Sequence, residues 1–310
     1  MYRRALVTGG AGFIGSRVAR ALLALGVEVV VLDDLSMGRR ENVPSGAQLM
    51  IGNVCSAHDT SAALNGCDIV FHEAARVSVR SSFKDFYADA ETNFMGTLNV
   101  LRCCAGTAVR KLVYASSMAV YADSAEPRPI DENHLAEPLS PYGIAKLAAE
   151  KYCQQLAIDS GIDCHVLRYF NTYGPGQTFT PYVGVITIFI RKLLQGAAPT
   201  IYGDGEQRRD FVHVSDIVRA NLLAMKSSIP HAVFNVGTGK ATSVNQIAAL
   251  LCARIAPEIT PTHVAAHRGE LRYSIADISR IATALGYAPS ASVESHLDEV
   301  IEFYRSSKVD

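Results

Sequence analysis

"LVTGGAGFIGSRV", Leu6 to Val18, decides how the rest of the chain is read. Four glycines, at 9, 10, 12 and 15, follow an apolar run and open a helical pattern. They fit Gly-x-Gly-x-x-Gly from Gly10 and also Gly-x-x-Gly-x-x-Gly from Gly9. Glycine lets such a turn form and lets the backbone approach a pyrophosphate. The helix that follows adds unpaired N–H groups and a positive dipole end. Alone, either match is also an ordinary strand–helix turn. The next apolar run, "VEVVVLDD", tips the reading because it ends at Asp33, where a carboxylate grips adenosine ribose hydroxyls and repels a 2′-phosphate. The pair predicts a dinucleotide site that takes NAD rather than NADP. Arg39 and Arg40, six and seven residues further on, read as solvated.

Outward from this loop, short apolar strands alternate with amphipathic helices. "RALVT", "VEVVVLD", "QLMIG", "DIVFH", "KLVYA" and "DCHVLRY" read as strands, several of them β-branched runs buried on both faces. "FIGSRVARALLAL" reads as a helix, and two longer helices are predicted at about Phe83–Thr107 and Tyr142–Asp159. Strand–helix alternation with connections this long implies a Rossmann-like, doubly wound parallel sheet in an α/β fold. After Asn171 the pattern loosens into a smaller C-terminal α/β lobe. "RDFVHVSDIVRANLLAM" and "AVFNVG" are apolar enough to return to the main sheet. The expected division is residues 1–170 for the dinucleotide, with about 211–240 returning to it, and 171–310 for a substrate.

The chain has 310 residues, 49% hydrophobic, with 29 basic against 30 acidic side chains and a formal net charge of -1. That is enough to bury a large core, and it offers no global field for nucleic acid or an anionic membrane. No apolar run is long enough to span a bilayer. The seven cysteines include no Cys-x-x-Cys pair and read as buried thiols in a reducing cytosol. The nine histidines are scattered, without ligand spacing, so no metal site is expected.

A second constellation runs from Ser116 to Lys146. Two serines end the "VYASS" strand, and Tyr142 and Lys146 stand at i, i+4, one turn apart on one helix face. Free tyrosine titrates near 10 and is a poor base at neutral pH. A neighbouring ammonium and a positive nicotinamide ring would bring the phenolate into working range. Taken alone, Tyr-x-x-x-Lys is common on solvated helix faces. Following a dinucleotide fingerprint, it reads as a proton-transfer site.

The pieces "TGGAGFIG", "LDDLS", "FHEAA", "NFMGTLNVL", "YASSMAVY", "SPYGIAK", "LRYFNTYGPGQ", "YGDGEQRRDFVHVSD" and "NVGTG" cover nearly the whole chain in order. In this the sequence resembles the extended short-chain dehydrogenase/reductase family, and most of all its UDP-glucose 4-epimerase branch. The resemblance implies Ser117, Tyr142 and Lys146 as the catalytic set, with Ser116 in support. It implies Gly9, Gly12, Phe13, Ile14 and Gly15 on the NAD pyrophosphate, and Asp33 and Asp34 at the adenosine ribose. Asn53 and Val54 would flank the adenine; the family's usual aspartate is an asparagine at 53. Ala74, Ala75, Arg76 and Asn93 would line the dinucleotide, with Tyr169 and Phe170 beside the nicotinamide.

"GDGEQRRDF" puts two arginines in a Gly-rich loop, a reasonable diphosphate clamp. The resemblance raises Arg209 to a phosphate ligand, with Asn171 on the diphosphate and Tyr202 beside the base. In "AHRGELRYSIAD" the family's Arg-Pro-Gly-Asp is altered, and Arg268 and Glu270 would replace its arginine and ribose-binding acid. Ser274 aligns with the position that screens the sugar's C2 substituent. Dehydratases of the family carry Asp-Glu just after the active hydroxyl, and decarboxylases a glutamate at the second of those positions. Here Met118 and Ala119 fill them, which leaves 4-epimerisation of a UDP-hexose, plain or N-acetylated. The alternatives are uronate 4-epimerisation, 4-keto reduction, or a non-catalytic NAD-binding regulator. The family's habit of pairing two long helices predicts a homodimer.

Overall fold

The computed structural model describes residues 2–124, 126–178, 184–266 and 272–306. Six strands, β1 (Arg4–Thr8), β2 (Glu28–Asp33), β3 (Gln48–Ile51), β4 (Ile69–His72), β5 (Lys111–Ser117) and β6 (Asp163–Tyr169), fall where the apolar runs predict them. The second half adds β7 (Asn171–Tyr173), β8 (Thr200–Tyr202), β9 (Arg208–Arg209), β10 (Phe211–His213), β11 (His231–Val236), β12 (Thr242–Ser243), β13 (Thr262–Val264) and β14 (Tyr273–Ser274). One seven-stranded parallel sheet runs β11-β6-β5-β4-β1-β2-β3. Its strand order reverses between β1 and β4, and the carboxyl ends there open the crevice where ligands of such sheets bind.

Both faces of the sheet are covered, which is why its strands are mostly apolar. The helices Gly15–Ala24 and Val214–Lys226 close one core. Ala57–Leu64, Gly96–Cys104 and Pro141–Asp159 close the other. A third core gathers the helices Val185–Leu194, Val244–Ile255 and Val293–Ser306.

Two expectations need correction. The helix predicted over Phe83–Thr107 is divided: a short helix Val79–Ser82, then Phe86–Ala90, a π turn Glu91–Met95, and Gly96–Cys104. Side-chain caps make the break, because Ser78 accepts from Ser81 N and Asp85 accepts from Ala88 N. Of the two returning stretches, "AVFNV" does join the main sheet as its edge strand. "DFVHV" instead pairs with β7 in a separate two-stranded sheet, and only the helix after it packs against the main sheet.

Candidate active site

The glycine loop is built by collision avoidance. Gly9 has φ +67°, and a Cβ there would sit 2.7 Å from Ala74 N. A Cβ on Gly15 would strike the Gly9 carbonyl. The loop therefore closes tightly on the segment after β4. The helix that starts at Gly15 has Ile14 at its N-cap, no capping side chain and no acid in its first turn. Ser16 N and Arg17 N are taken by the Gly12 and Ile14 carbonyls, so an outside anion would meet the N–H groups of the turn just before them. Asp33 is 8% exposed; its Oδ2 accepts from Ala11 N and its Oδ1 from Leu35 N, each at 2.9 Å. Burial raises its carboxyl above the usual range, and the two N–H groups pull it back. A carboxylate has about four acceptor sites, so it keeps capacity for ribose hydroxyls. An uncapped N-terminus, a glycine cradle and a fixed acid suit a dinucleotide.

The neighbouring residues divide into surface and support. Asn53 is exposed, its Oδ1 accepting from Cys55 N at 2.8 Å and its amide reaching Asp34 at 3.3 Å. Val54 is buried, and its carbonyl accepts from Asn99. Asn93, predicted beside the cofactor, is buried; it accepts from Arg76 N and donates to Arg76 O, both at 3.0 Å. It clasps the Ala74–Ala75–Arg76 turn from behind. The Arg76 side chain points outward to Asp85.

At the ends of β4 and β5 the reactive set comes together. The helix Pro141–Asp159 starts with proline at its first turn and Ser140 capping Gly143 N. It turns Tyr142, Lys146 and Glu150 inward, one per turn, all buried. The Ser117 hydroxyl hydrogen-bonds the Tyr142 phenol. Lys146 Nζ donates to Ala115 O at 2.9 Å and lies 5.0 Å from the Tyr114 ring centre. Burial pushes the Tyr142 phenol up to about 12, against the pull of the Ser117 hydrogen bond and with Asp89 adding to the rise. The expectation that Lys146 lowers the phenol is therefore corrected: the ammonium is itself forced down to about 8 by burial, with Glu73 opposing. Residues of the chain alone leave the phenol protonated at neutral pH.

Two groups went unread in the sequence. Glu73, directly after β4, accepts from Tyr169 OH at 2.8 Å, and Tyr169 OH accepts from Asn221 at 2.7 Å. Burial lifts the Glu73 carboxyl to about 7 against the pull of Tyr169 and Lys146. A carboxylate inside "FHEAA", at the mouth of the crevice, was the available signal. The second is a buried network behind β5. Ser116 Oγ and Arg168 Nε both donate to Glu150 Oε2 at 3.0 Å, and Arg168 also reaches Tyr121, which donates to Asn235 at 2.6 Å. Glu150, four residues after Lys146 on the same face, was its sequence trace.

Tyr169 and Phe170 are buried at the end of β6. Asn171 N and Nδ2 both donate to Asp210 O. Asp210 is itself buried and accepts from Thr238, Gly239 and Ala276 N–H groups, which fixes the start of the second lobe. Arg209 pairs in register with Thr242 on one side and Ser274 on the other. Ser274 is fully buried, and its hydroxyl has no partner among the described residues. The Arg80 guanidinium stands 5.8 Å from the Tyr202 ring centre, spanning the two lobes. Arg268 and Glu270 lie outside the described residues.

A family model described as the NAD dependent epimerase/dehydratase family matches residues 5–237. A putative UDP-glucose 4-epimerase of Methanocaldococcus jannaschii is 34% identical over 97% of this chain and 98% of its own. The crystal structure of UDP-glucose 4-epimerase with UDP-glucose from Thermotoga maritima superposes with a TM-score of 0.93, at 38% identity over 97% of this chain and 98% of that one. UDP-N-acetylglucosamine 4-epimerase from Methanobrevibacter ruminantium, in complex with UDP-N-acetylmuramic acid, gives 0.93 at 32% identity over 98% of each chain.

Proposed function

The chain belongs to the NAD dependent epimerase/dehydratase family, and from that premise we propose that it inverts the 4-hydroxyl of a UDP-linked hexose. UDP-glucose and UDP-galactose are the proposed pair, with their N-acetylated forms also accepted. The observation that carries this reading is the Ser117–Tyr142 hydrogen bond one turn before Lys146, next to Met118 and Ala119, which cannot move a proton.

NAD fits the glycine loop and Asp33, and Gly12, Phe13 and Ile14 would hold its pyrophosphate. When bound it supplies the hydride acceptor and donor for C4 and a positive ring near the phenol. The rest is the protein's work. Tyr142 takes the proton of the sugar 4-hydroxyl and returns it to the inverted alcohol. Ser117 holds that oxygen within reach. Lys146 keeps a positive charge behind the phenol. Arg209 and Asn171 hold the diphosphate while the 4-keto sugar turns over between the two proton transfers. In this reading residues 1–170 with 211–240 serve the dinucleotide and 171–310 the sugar nucleotide.

An N-acetyl group finds room because residue 274 is serine rather than a bulky aromatic. A homodimer is supported by the outer faces of Phe86–Cys104 and Pro141–Asp159. Phe86, Tyr87, Met95, Ile144 and Ile158 are all more than half exposed there, an apolar patch that a second copy would cover. Unpaired thiols throughout, and no described helix long and apolar enough to cross a membrane, suit the cytoplasm.

The test is turnover of purified protein on UDP-glucose with no NAD added, read by product chromatography. UDP-galactose as product is expected. A chain that binds NAD but leaves every UDP-hexose untouched, or that needs added NADH, overturns the reading.

A further inference from the structure

We propose that His213, His296 and Glu299 form a site for a divalent transition cation, zinc by donor type. Nothing in the proposed epimerisation uses these residues, and the inference is independent of it. One donor atom from each lies within 4.8 Å of the other two. His213 ends β10 and caps the helix Val214–Lys226. His296 and Glu299 are at i, i+3 on one face of the final helix, Val293–Ser306. In sequence the first is 83 residues from the second, which is why spacing alone showed no ligand set.

The case rests on His213 Nε2. The residue is 5% exposed, and this nitrogen makes no hydrogen bond among the described residues. It sits 3.1 Å from Glu299 Oε1 without hydrogen-bond alignment. Such a buried, unused ring nitrogen has an energetic cost that a metal would remove. The other ring nitrogen, Nδ1, lies 2.8 Å from Ser215 Oγ. Nδ1 also accepts from Ser215 N at 3.4 Å, the capping contact. A metal on Nε2 would require the ring proton to sit on Nδ1 instead, donated to the Ser215 hydroxyl in place of that long contact, the arrangement that orients histidine ligands.

The backbone at Gly174 passes close to Nε2 with no side chain to cover it. Gly174 has φ +154°, and a Cβ there would lie 3.2 Å from Nε2. Two imidazoles and a carboxylate are borderline donors that suit zinc, with a fourth position for water. Zinc bonds of about 2.0–2.1 Å in tetrahedral array put ligand atoms roughly 3.3 Å apart. The His213–Glu299 pair already has that separation. The rings of His213 and His296 are 4.9 Å apart between centres, and His296 is only half-buried, so a side-chain rotation completes the set. Arg17 adds an opposing positive charge, but its guanidinium is turned onto the carbonyls of Phe13 and Pro175. Bound there, the cation would tie the last helix to the loop after β7 and to the start of Val214–Lys226.

The experiment titrates Zn2+ into chelator-stripped full-length protein by calorimetry, with Co2+ absorption as a second readout of coordination. One saturable site per chain is expected. His296→Ala and the isosteric Glu299→Gln should each weaken it at least about tenfold, and Ser215→Ala by about tenfold or more through His213. Zn2+ should raise the melting temperature of wild type and not that of the His296→Ala/Glu299→Gln double variant. Metal-free melting of Glu299→Gln like that of wild type would show that its loss of binding is not unfolding. No saturable uptake by wild type, or equal uptake by the double variant, overturns the proposal; the latter would place the ion elsewhere, such as on Cys55 or Cys103.

Discussion

The inner face of the helix Pro141–Asp159 carries two adjoining buried polar regions, and they are finished differently. Around Glu150, the carboxylate receives Ser116 and Arg168, and Arg168 goes on to Tyr121. Around Lys146 and Tyr142, among the described residues, Glu73 meets only a tyrosine hydroxyl, Lys146 holds a single carbonyl, and burial drives all three groups toward their neutral forms. A satisfied network fixes a shape. A half-satisfied one, kept next to a crevice, is where protons move at modest cost and where an incoming charged ligand has the most effect. The first region holds β5, and with it Ser117, at the distance from the helix that the second requires.

Breaking the reactive end should give the largest change. Tyr142→Phe is expected to cut turnover by about 10²–10⁴-fold, because it removes the proton carrier bonded to Ser117. NAD content and melting temperature should stay near wild type. A Phe variant with undiminished turnover would take Tyr142 out of the chemistry.

Breaking the scaffold end should instead cost stability. Glu150→Gln leaves the Arg168 charge buried and uncompensated, a loss of about 3–5 kcal/mol. Urea unfolding would read it as a lower midpoint with an unchanged slope. If the loss were under roughly 1 kcal/mol, the Glu150–Arg168 pair would be no stronger than a surface contact, and the contrast between the two regions would fail.

The same contrast explains what the sequence disclosed. Period and β-branching placed the first six strands, because a parallel sheet covered on both faces gives each strand a mainly apolar run, with its polar residues few or at the ends. Gly9, Asp33, Tyr142 and Lys146 were legible because each carries a local rule: a positive φ, a carboxylate after a strand, one helical turn. Glu73 and the Glu150–Arg168 pair were not, since their traces, an acid inside "FHEAA" and another one turn after Lys146, do not by themselves tell a buried acid from a solvated one. The break in the helix near Phe86 depended on Asp85 as a cap, a residue equally at home in a helix surface. "DFVHV" was apolar enough for the main sheet, and only tertiary pairing with Asn171–Tyr173 sent it elsewhere.

The substrate lobe offers a sharper, smaller test. Ser274 is fully buried beside Arg209 with an idle hydroxyl, so nothing holds that side chain in place of a larger one except volume. Ser274→Tyr should overfill the pocket by about 1–3 kcal/mol for the bulkier sugar, roughly 5- to 150-fold in relative kcat/KM. The ratio of UDP-N-acetylglucosamine to UDP-glucose activity should fall, while Ser274→Ala leaves it unchanged. An unchanged ratio in the tyrosine variant would remove Ser274 from the sugar pocket.

The least disruptive probe of the reactive region is the pH dependence of stability in Glu73→Gln. In the unfolded chain this carboxyl titrates near 4.5, and in the folded protein near 7. Between those values the native state keeps a proton that the unfolded state has lost. Folding stability from this group therefore falls as pH rises through the window, and the loss is complete above about 7. The raised value already includes the attraction to Lys146, so it measures the net cost of the charge. Discounted for the residue's partial exposure, that cost is on the order of 1–2 kcal/mol. Other groups facing the site titrate too. Lys146, lowered from 10.5 to about 8, adds stability only as pH rises between those values. His72, buried and lowered to about 3, adds stability as pH rises from there to its ordinary 6.5, and Asp89, raised, acts in the same sense as Glu73. All three are present in both proteins and largely cancel in the difference. Gln keeps the acceptor for Tyr169 without the charge. Urea melts should thus find Glu73→Gln more stable than wild type near pH 8, with the advantage shrinking to nothing as pH falls to about 4.5. A difference that stays constant with pH, or a wild type that is the more stable at pH 8, would mean that Glu73 is comfortably charged in the crevice and that the reactive region is as well satisfied as the scaffold behind it.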